Sequence, residues 1–221
     1  MNEAIRLYRE GKYEAALNRL LELHVDDAQQ GELSYYLGLC YASLKQYDEA
    51  VLYLEQVLTS DLGFLYIYQS RMLVGYIYSV TERYRLAEFE FNRLLEDGYE
   101  SAKVYAALAY VLYQQEQAAP AIAHLEKALR IDPENANAMN SLGYILAESS
   151  ENLELAFSYC SRAARKRPNN PAYLDSLALA YEKRGQLDRA LKLYRHAYRL
   201  SGGNELIGNH LNALEARAVG K

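Results

Sequence analysis

Residues 142–181 read LGYILAESSENLELAFSYCSRAARKRPNNPAYLDSLALAY. Leu142, Gly143 and Leu146 share one helical face and return 35 residues later as Leu177, Ala178 and Tyr181. Between them Ala156, Cys160 and Ala163 mark the inward stripe of a second helix, and Pro168 follows its end, where a helix stops. Working outward, one series of small residues runs Ala4, Gly38, Gly75, Ala109, Gly143 and Ala178, with steps of 34, 37, 34, 34 and 35. A second runs Ala16, Ala50, Ala87, Ala121, Ala156 and Ala190, with steps of 34, 37, 34, 35 and 34. Two registered series with one period describe a helical hairpin repeated six times, each copy stacking on its neighbours.

The second copy shows the physics. Ser34, Leu37, Gly38 and Tyr41 form an inward face. A turn near Lys45 and Gln46 leads into a helix with Asp48 and Glu49 at its positive end and Ala50, Leu54 and Val57 inward. The small pair Gly38 and Ala50 lets the two helices approach closely. Pro120 belongs to a first turn, Pro133 and Pro168 to helix ends, and Gly11 and Gly185 to turns inside hairpins. Asn204 is expected to cap a last helix from Glu205 to about Arg217, with Leu206, Leu211 and Leu214 as its apolar stripe.

This pattern resembles the tetratricopeptide repeat, whose signature has Trp or Leu, Leu-Gly, Tyr, then Ala, Phe or Tyr, Ala and Pro. Met139, Leu142, Gly143, Leu146, Ala156, Cys160, Ala163 and Pro168 occupy those places in the fifth unit. Leu174, Leu177, Ala178, Tyr181, Ala190, Tyr194 and Ala197 occupy them in the sixth, with Gly202 where Pro is usual. The resemblance implies an all-α, right-handed superhelical solenoid of about six repeats acting as a protein-interaction scaffold. The repeats span about 1–30, 31–64, 65–101, 102–135, 136–170 and 171–204, with a capping helix over 204–218. From Asn140 onward the chain is also similar to the C-terminal repeats of bacterial tetratricopeptide proteins, some of them envelope-associated or lipid-anchored. Six matched units identify an architecture and leave the activity open.

Composition fits a folded chain: 51% of the 221 residues are hydrophobic, 24% are charged, and no low-complexity tract interrupts them. No apolar run approaches the ~18 residues that span a bilayer. Residues 1–10, MNEAIRLYRE, form an amphipathic helix and not a secretory signal. By the register of the other copies, the first helix should begin about three residues before Met1. That register leaves two readings open, a chain that starts at Met1 and a trimmed one whose upstream segment was targeting or anchoring. The default compartment is cytoplasmic, or periplasmic and envelope-associated if a signal was trimmed. Cys40 and Cys160 lie on inward positions of the second and fifth copies, too far apart to bond in a solenoid.

In the family the resemblance implies, a second face of each first helix lines the concave side. Its members here are Tyr35, Leu39 and Ala42; Met72, Tyr76 and Ser79; Ala106, Tyr110 and Tyr113; Asn140, Tyr144 and Ala147; and Asp175, Leu179 and Glu182. Tyr76, Tyr110 and Tyr144 are equivalent, 34 residues apart each time, where the family usually carries a polar residue. First helices about 8–10 Å apart would match every third residue of a peptide rising ~3.3 Å per residue. The candidate groove is Tyr35, Leu39, Met72, Tyr76, Tyr110, Tyr113, Asn140 and Tyr144, for an extended or helical peptide with apolar or aromatic anchors. The chain holds 22 Tyr against 4 Phe and no Trp, and many of these tyrosines are packing residues, among them Tyr41, Tyr78 and Tyr181. The chaperone-adaptor members of the family grip a terminal carboxylate with cationic side chains on this face. Met1, Ile5, Tyr36, Gln69 and Leu73 stand there in this chain, so that reading is rejected.

The three extra residues between the second and third copies fall in the apolar run from Gly63 to Tyr68. They are expected to lengthen the third copy's first helix and bury there. The alternative is an exposed partner patch of Phe64, Tyr66 and Tyr68, recruiting a partner or a second copy of the chain. Net charge is −5, yet residues 160–200 hold ten Lys and Arg against three acids, and the first 159 hold twelve against twenty-four. The asymmetry is read as a solvated outer face, with an acidic partner, anionic lipid or self-association as the alternative. Nucleic acid is not expected, given the acidity and the lack of a binding motif.

No catalytic or metal constellation is legible. His24, His124, His196 and His210 are scattered, each read as a surface or helix-end residue, and no phosphate loop or nucleophile elbow is present. No enzyme activity, cofactor or metal is expected. The reading is a non-catalytic scaffold. The alternatives are a self-associating structural module and a regulatory or envelope-tethered domain of a larger bacterial protein.

Overall fold

Each hairpin closes through the same turn. Gly11, Lys45, Glu82, Glu116, Ser150 and Gly185 all have positive φ, and each ends the first helix of a hairpin. In five of the six turns the next residue returns its N–H to a carbonyl five residues back, as Gln46 does to Tyr41 at 2.9 Å and Gln117 to Leu112 at 2.9 Å. That bond satisfies a carbonyl left open at the helix end. First helices from α3 onward, α5 apart, begin on a side-chain cap. Asp26, Ser101, Asn135, Asn170 and Asn204 each accept the backbone N–H three residues on, at 3.0–3.3 Å.

The computed structural model describes residues 1–219, with thirteen α-helices among them, in two compact units. The first, Met1–Glu100, holds α1 (Asn2–Arg9), α2 (Tyr13–Leu21), α3 (Asp27–Ser43), α4 (Tyr47–Leu58), α5 (Phe64–Val80) and α6 (Tyr84–Glu96). The second, Ser101–Lys221, holds α7 (Ala102–Gln114), α8 (Ala118–Ile131), α9 (Ala136–Ser149), α10 (Leu153–Lys166), α11 (Pro171–Lys183), α12 (Leu187–Leu200) and α13 (Glu205–Val219). Within each unit every helix packs on the next, making three stacked hairpins, to which the second unit adds α13.

Both small-residue series are buried throughout. A Cβ placed on Gly38 would stand 2.7 Å from Leu54 Cγ, and one on Gly75 would stand 2.5 Å from the Phe91 ring. At Gly143 it would meet Cys160 Sγ at 2.6 Å, the Cys160 backbone N at 2.9 Å and the Ala156 carbonyl at 3.0 Å. Leucine and phenylalanine can shift; the α10 backbone cannot. Both cysteines are free and buried, and burial raises the Cys40 thiol to about 11 and the Cys160 thiol to about 12, so each stays protonated at neutral pH.

The Phe64–Tyr68 run does lengthen α5, which opens at Phe64 on Gly63. Its burial is only partial. Tyr66 meets Tyr35 edge-on at 4.9 Å, and Phe64 and Tyr68 reach Tyr99 at 4.8 and 5.6 Å, but Phe64 is 60% and Leu65 55% exposed. Four consecutive residues cover a full turn, so one inward face cannot take them all. A buried ion pair, Arg71 to Glu90 at 2.8 Å, joins α5 to α6, at a first-helix position where the next three hairpins carry Tyr105, Met139 and Leu174. Burial there raises the Glu90 pKa despite the guanidinium.

The α13 helix repeats the register of the first helices before it. His210 and Arg217 stand 35 residues after Asp175 and Glu182 and pair with them. His210 Nδ1 lies 3.0 Å from Asp175 Oδ1, and Arg195 adds a 2.7 Å pair with Glu215. Ile207, Leu211 and Leu214 are the buried stripe, and Leu206 is exposed, so the expected stripe is corrected by one position. Asn209, Asn212, Ala213 and Ala216 on another side of α13 are exposed, and Ala213 stands 35 residues after Ala178. His210 is likewise no simple helix-end histidine, because its partner Asp175 is buried.

Three outcomes follow from this packing. Gly143→Ala should destabilise the protein by about 1–3 kcal/mol, measured by urea unfolding, whereas Gly38→Ala, against a movable leucine, should cost less. Glu116→Gly should raise stability by about 0.5–1 kcal/mol, the relief of a left-handed residue less the added chain entropy of glycine; an unchanged midpoint would refute the strain. The hydrogen bond that the His210 ring donates to the Asp175 carboxylate raises the His210 pKa above 6.5 against the opposing effect of burial. A raised folded-state value means the stabilisation is complete below about 6.5 and fades as pH rises through that raised value. Hydrogen-exchange protection of α13 should therefore fall from pH 6 to pH 9 more in the wild type than in His210→Gln.

Candidate functional site

The periodicity that builds α7 and α9 also sets what faces outward from them. With Ala109 and Gly143 turned to the second helices, the next residue on each helix, Tyr110 and Tyr144, lies to one side of the packing seam. One turn from Tyr110 on that side is Tyr113, and one turn from Tyr144 is Asn140. These four residues line one cavity of about 140 Å³, with Gln114 and Ser141 at its edge. Its apolar lining includes Ala109, Leu125 and Ile145, each buried. The cavity lies wholly within the second unit.

Tyr113 and Tyr144 are perpendicular, ring centroids 6.0 Å apart, with a hydrogen bond between the side chains. Burial, first of all, raises both phenol pKa values; Glu148 adds to both and Asp175 to that of Tyr144. Tyr110 is 48% exposed. Asn140 Oδ1 is buried and takes no hydrogen bond. A polar acceptor closed away from water without a donor is a cost that the local fold does not offset. The arrangement can hold a flat or apolar group against phenol rings and offer it one amide; it carries no nucleophile and base.

The remaining candidates lie in the first unit. Tyr35 is buried, its hydroxyl bonded to Gln69, its ring edge-on to Tyr36 at 5.3 Å and to Tyr66 at 4.9 Å. Burial raises its pKa to about 12, helped by Tyr36, Tyr8 and Tyr66. Met72 is buried, Leu39 half-buried and Tyr76 exposed. The structure thus brings four of the eight candidates together and places Tyr35 in an aromatic cluster of its own. In α11, Asp175 and Leu179 are buried and Glu182 half-buried; both acids are held by α13. Reading the 35-residue offset past Leu200 would have found those two pairs, since 175 and 182 map onto a histidine and an arginine.

Among the described residues no group of three His, Cys, Asp or Glu side chains is placed to hold a metal ion, and no helix is long and apolar enough to cross a membrane.

A TPR repeat model matches residues 109–149, and tetratricopeptide repeat models match 1–61 and 174–206. Over 80 residues the chain is 35% identical to TPR repeat-containing protein PA4667 of Pseudomonas aeruginosa, covering 34% of this chain and 14% of that protein. Among solved structures it is similar to YrrB, described as a TPR protein with an unusual peptide-binding site (TM-score 0.60, 18% identity, 91% of this chain and 97% of that one). It is similar to MamA from residue 41 to its end, of Desulfovibrio magneticus RS-1 (TM-score 0.65, 22% identity, 74% and 90%). The APC/C hetero-tetramer Cut9-Hcn1 gives a TM-score of 0.79 at 16% identity over 97% of this chain and 42% of that one. At these identities the structural likeness is one of fold. With the repeat matched at both ends and in the middle, and the same all-α hairpins in the structure, this chain belongs to the tetratricopeptide-repeat family.

Proposed function

We propose that this protein is a non-catalytic interaction scaffold that captures a peptide segment of a partner protein, and that the cavity of Tyr110, Tyr113, Asn140 and Tyr144 receives one of its side chains. The observation that carries this reading is the cavity itself: three tyrosines and Asn140 around an apolar floor. Tyrosine offers a large, stiff contact area with a hydroxyl at its rim, the combination enriched at interface hot spots. A cavity of this size suits one side chain and not a metabolite. YrrB, similar in fold, is described as peptide-binding, which agrees with this reading. Of the first-unit candidates, Leu39 is half-buried and Tyr76 exposed, whereas Tyr35 and Met72 are buried and offer a partner little surface.

The exposed Phe64 and Leu65 favour a second reading, in which this end of α5 joins two copies of the chain.

Peptides selected from a random library against the wild type should bind Tyr110→Ala about ten-fold or more weakly, as hot-spot truncations do, with the melting temperature unchanged because that ring is half exposed. Selected peptides that bind both proteins alike would place capture elsewhere. Sedimentation velocity with Phe64→Ser addresses the second reading: a concentration-dependent dimer abolished by that substitution would support it, and a monomer throughout would remove it.

A further inference from the structure

The second helices of the second unit carry cations in register. Six residues after the inward alanines Ala121, Ala156 and Ala190 stand Lys127, Arg162 and His196, and nine after them stand Arg130, Arg165 and Arg199. Offsets of six and nine turn both positions away from the inward stripe. Arg130, Arg165 and Arg199 are exposed in the last turns of α8, α10 and α12. A cation is favoured at a helix C-terminus, but that calls for neither a second cation beside it nor the lack of an acid. In the first unit, Arg93 and Glu96 hold the same two positions of α6 and bond at 2.9 Å. In α8 and α10 a cation replaces the acid, so Lys127 and Arg130, and Arg162 and Arg165, stand at i, i+3, a repulsive spacing for like charges. Among the described residues no carboxylate pairs with Arg130, Arg165 or Arg199; the nearby acids Glu134, Glu154 and Glu215 pair with other cations. A local cost repeated at one place in successive helices points to a surface kept for a partner.

The chain itself shows what such a surface binds. Glu134, in the loop between α8 and α9, is gripped by Arg162 at 3.2 Å and Lys166 at 2.6 Å. One repeat on, Asn169 follows Pro168 as Glu134 follows Pro133, so the next loop brings no carboxylate. The row is one cation wide on each helix. Hairpins stacked about 8–10 Å apart match every third residue of a chain rising ~3.3 Å per residue. Charge elsewhere favours a short segment over a larger polyanion. The first 159 residues hold twelve Lys and Arg against twenty-four acids, and net charge is −5. A membrane or a nucleic acid is repelled by that excess, whereas a short segment feels only charges within a screening length of about 8 Å. We infer that the outer face of α8, α10 and α12 is a second docking surface, on which Arg130, Arg165 and Arg199 receive an acidic segment of a partner protein with a carboxylate at about every third residue. This surface is made by second helices, whereas the tyrosines of the cavity belong to α7 and α9, and it does not depend on the peptide-capture reading.

Three peptides titrated into 15N-labelled protein test this: Glu-Ser-Gly repeated four times, the same with Gln for Glu, and the same composition with the glutamates contiguous. The first is expected to shift amides in the last turns of α8, α10 and α12, to weaken as salt rises, and to bind more tightly than the third; the Gln peptide should be silent. Arg130→Gln/Arg165→Gln/Arg199→Gln should bind it about ten-fold more weakly, the sum of three exposed charge contacts. Its melting temperature should change little, since relief of like-charge repulsion offsets the lost helix-end cations. Tyr110→Ala should bind the acidic peptide as the wild type does. A triple variant or a Gln peptide that binds equally, or silence from every peptide, overturns the inference. Contiguous glutamates that bind as tightly remove the spacing. Vesicles of phosphatidylserine in phosphatidylcholine and a single-stranded oligothymidine are run beside the peptides; tighter binding of either through the same arginines overturns the assignment to an acidic segment. Loss of binding in Tyr110→Ala places the peptide in the cavity and overturns the second surface, while the random-library peptides decide the capture reading on their own.

Discussion

Every hairpin depends on one close approach, where the first helix presents a residue with no side chain beyond Cβ to a second helix that does the same. The contact yields least at Gly143, where the opposing atoms include the backbone of α10 itself. Helices that close leave no room between their axes for large side chains. The bulky residues on either side of the seam must turn outward to flank it, toward the neighbouring hairpin or toward solvent. The position of Tyr110 and Tyr144 is thus a by-product of the packing at Ala109 and Gly143, one residue earlier in each helix.

The turns and caps make this arrangement repeat. Apart from α1 and α5, first helices start on Asp, Ser or Asn, and the first helix of each of the six hairpins ends on a left-handed residue, so the chain leaves each along a similar path. Four of the six left-handed positions are held by Lys, Glu or Ser instead of glycine, a local strain the stacking must offset. α13 docks through a face that keeps Ile207, Leu211 and Leu214 and adds His210 and Arg217 for the two acids of α11. Acids that would otherwise line the groove serve there to hold the last helix.

The fold was legible in the sequence because helical packing is periodic and local: two series of small residues, spaced by about 34, suffice to place the helices. Gly11 and Gly185 announced their turns, Asn204 its cap, and Tyr47 the start of α4. The buried Arg71–Glu90 pair was not legible, because position 71 belongs to the packing face and a charged residue there gives no sign of its partner nineteen residues away. The burial of Tyr35 and Met72 was equally hidden, since the groove face and the seam between hairpins differ by a rotation too small for helical spacing to resolve.

The candidate site divides in the same way. The sequence by itself determined that tyrosines recur at one face of successive first helices, because that follows from a 34-residue step and a helix of 3.6 residues per turn. Tertiary structure alone decided which of them share a cavity, what floors it and whether a polar atom inside it is left without a partner. Those properties depend on distances between side chains on different helices, set by how closely each pair packs and by which rotamer each ring can take once its neighbours are in place.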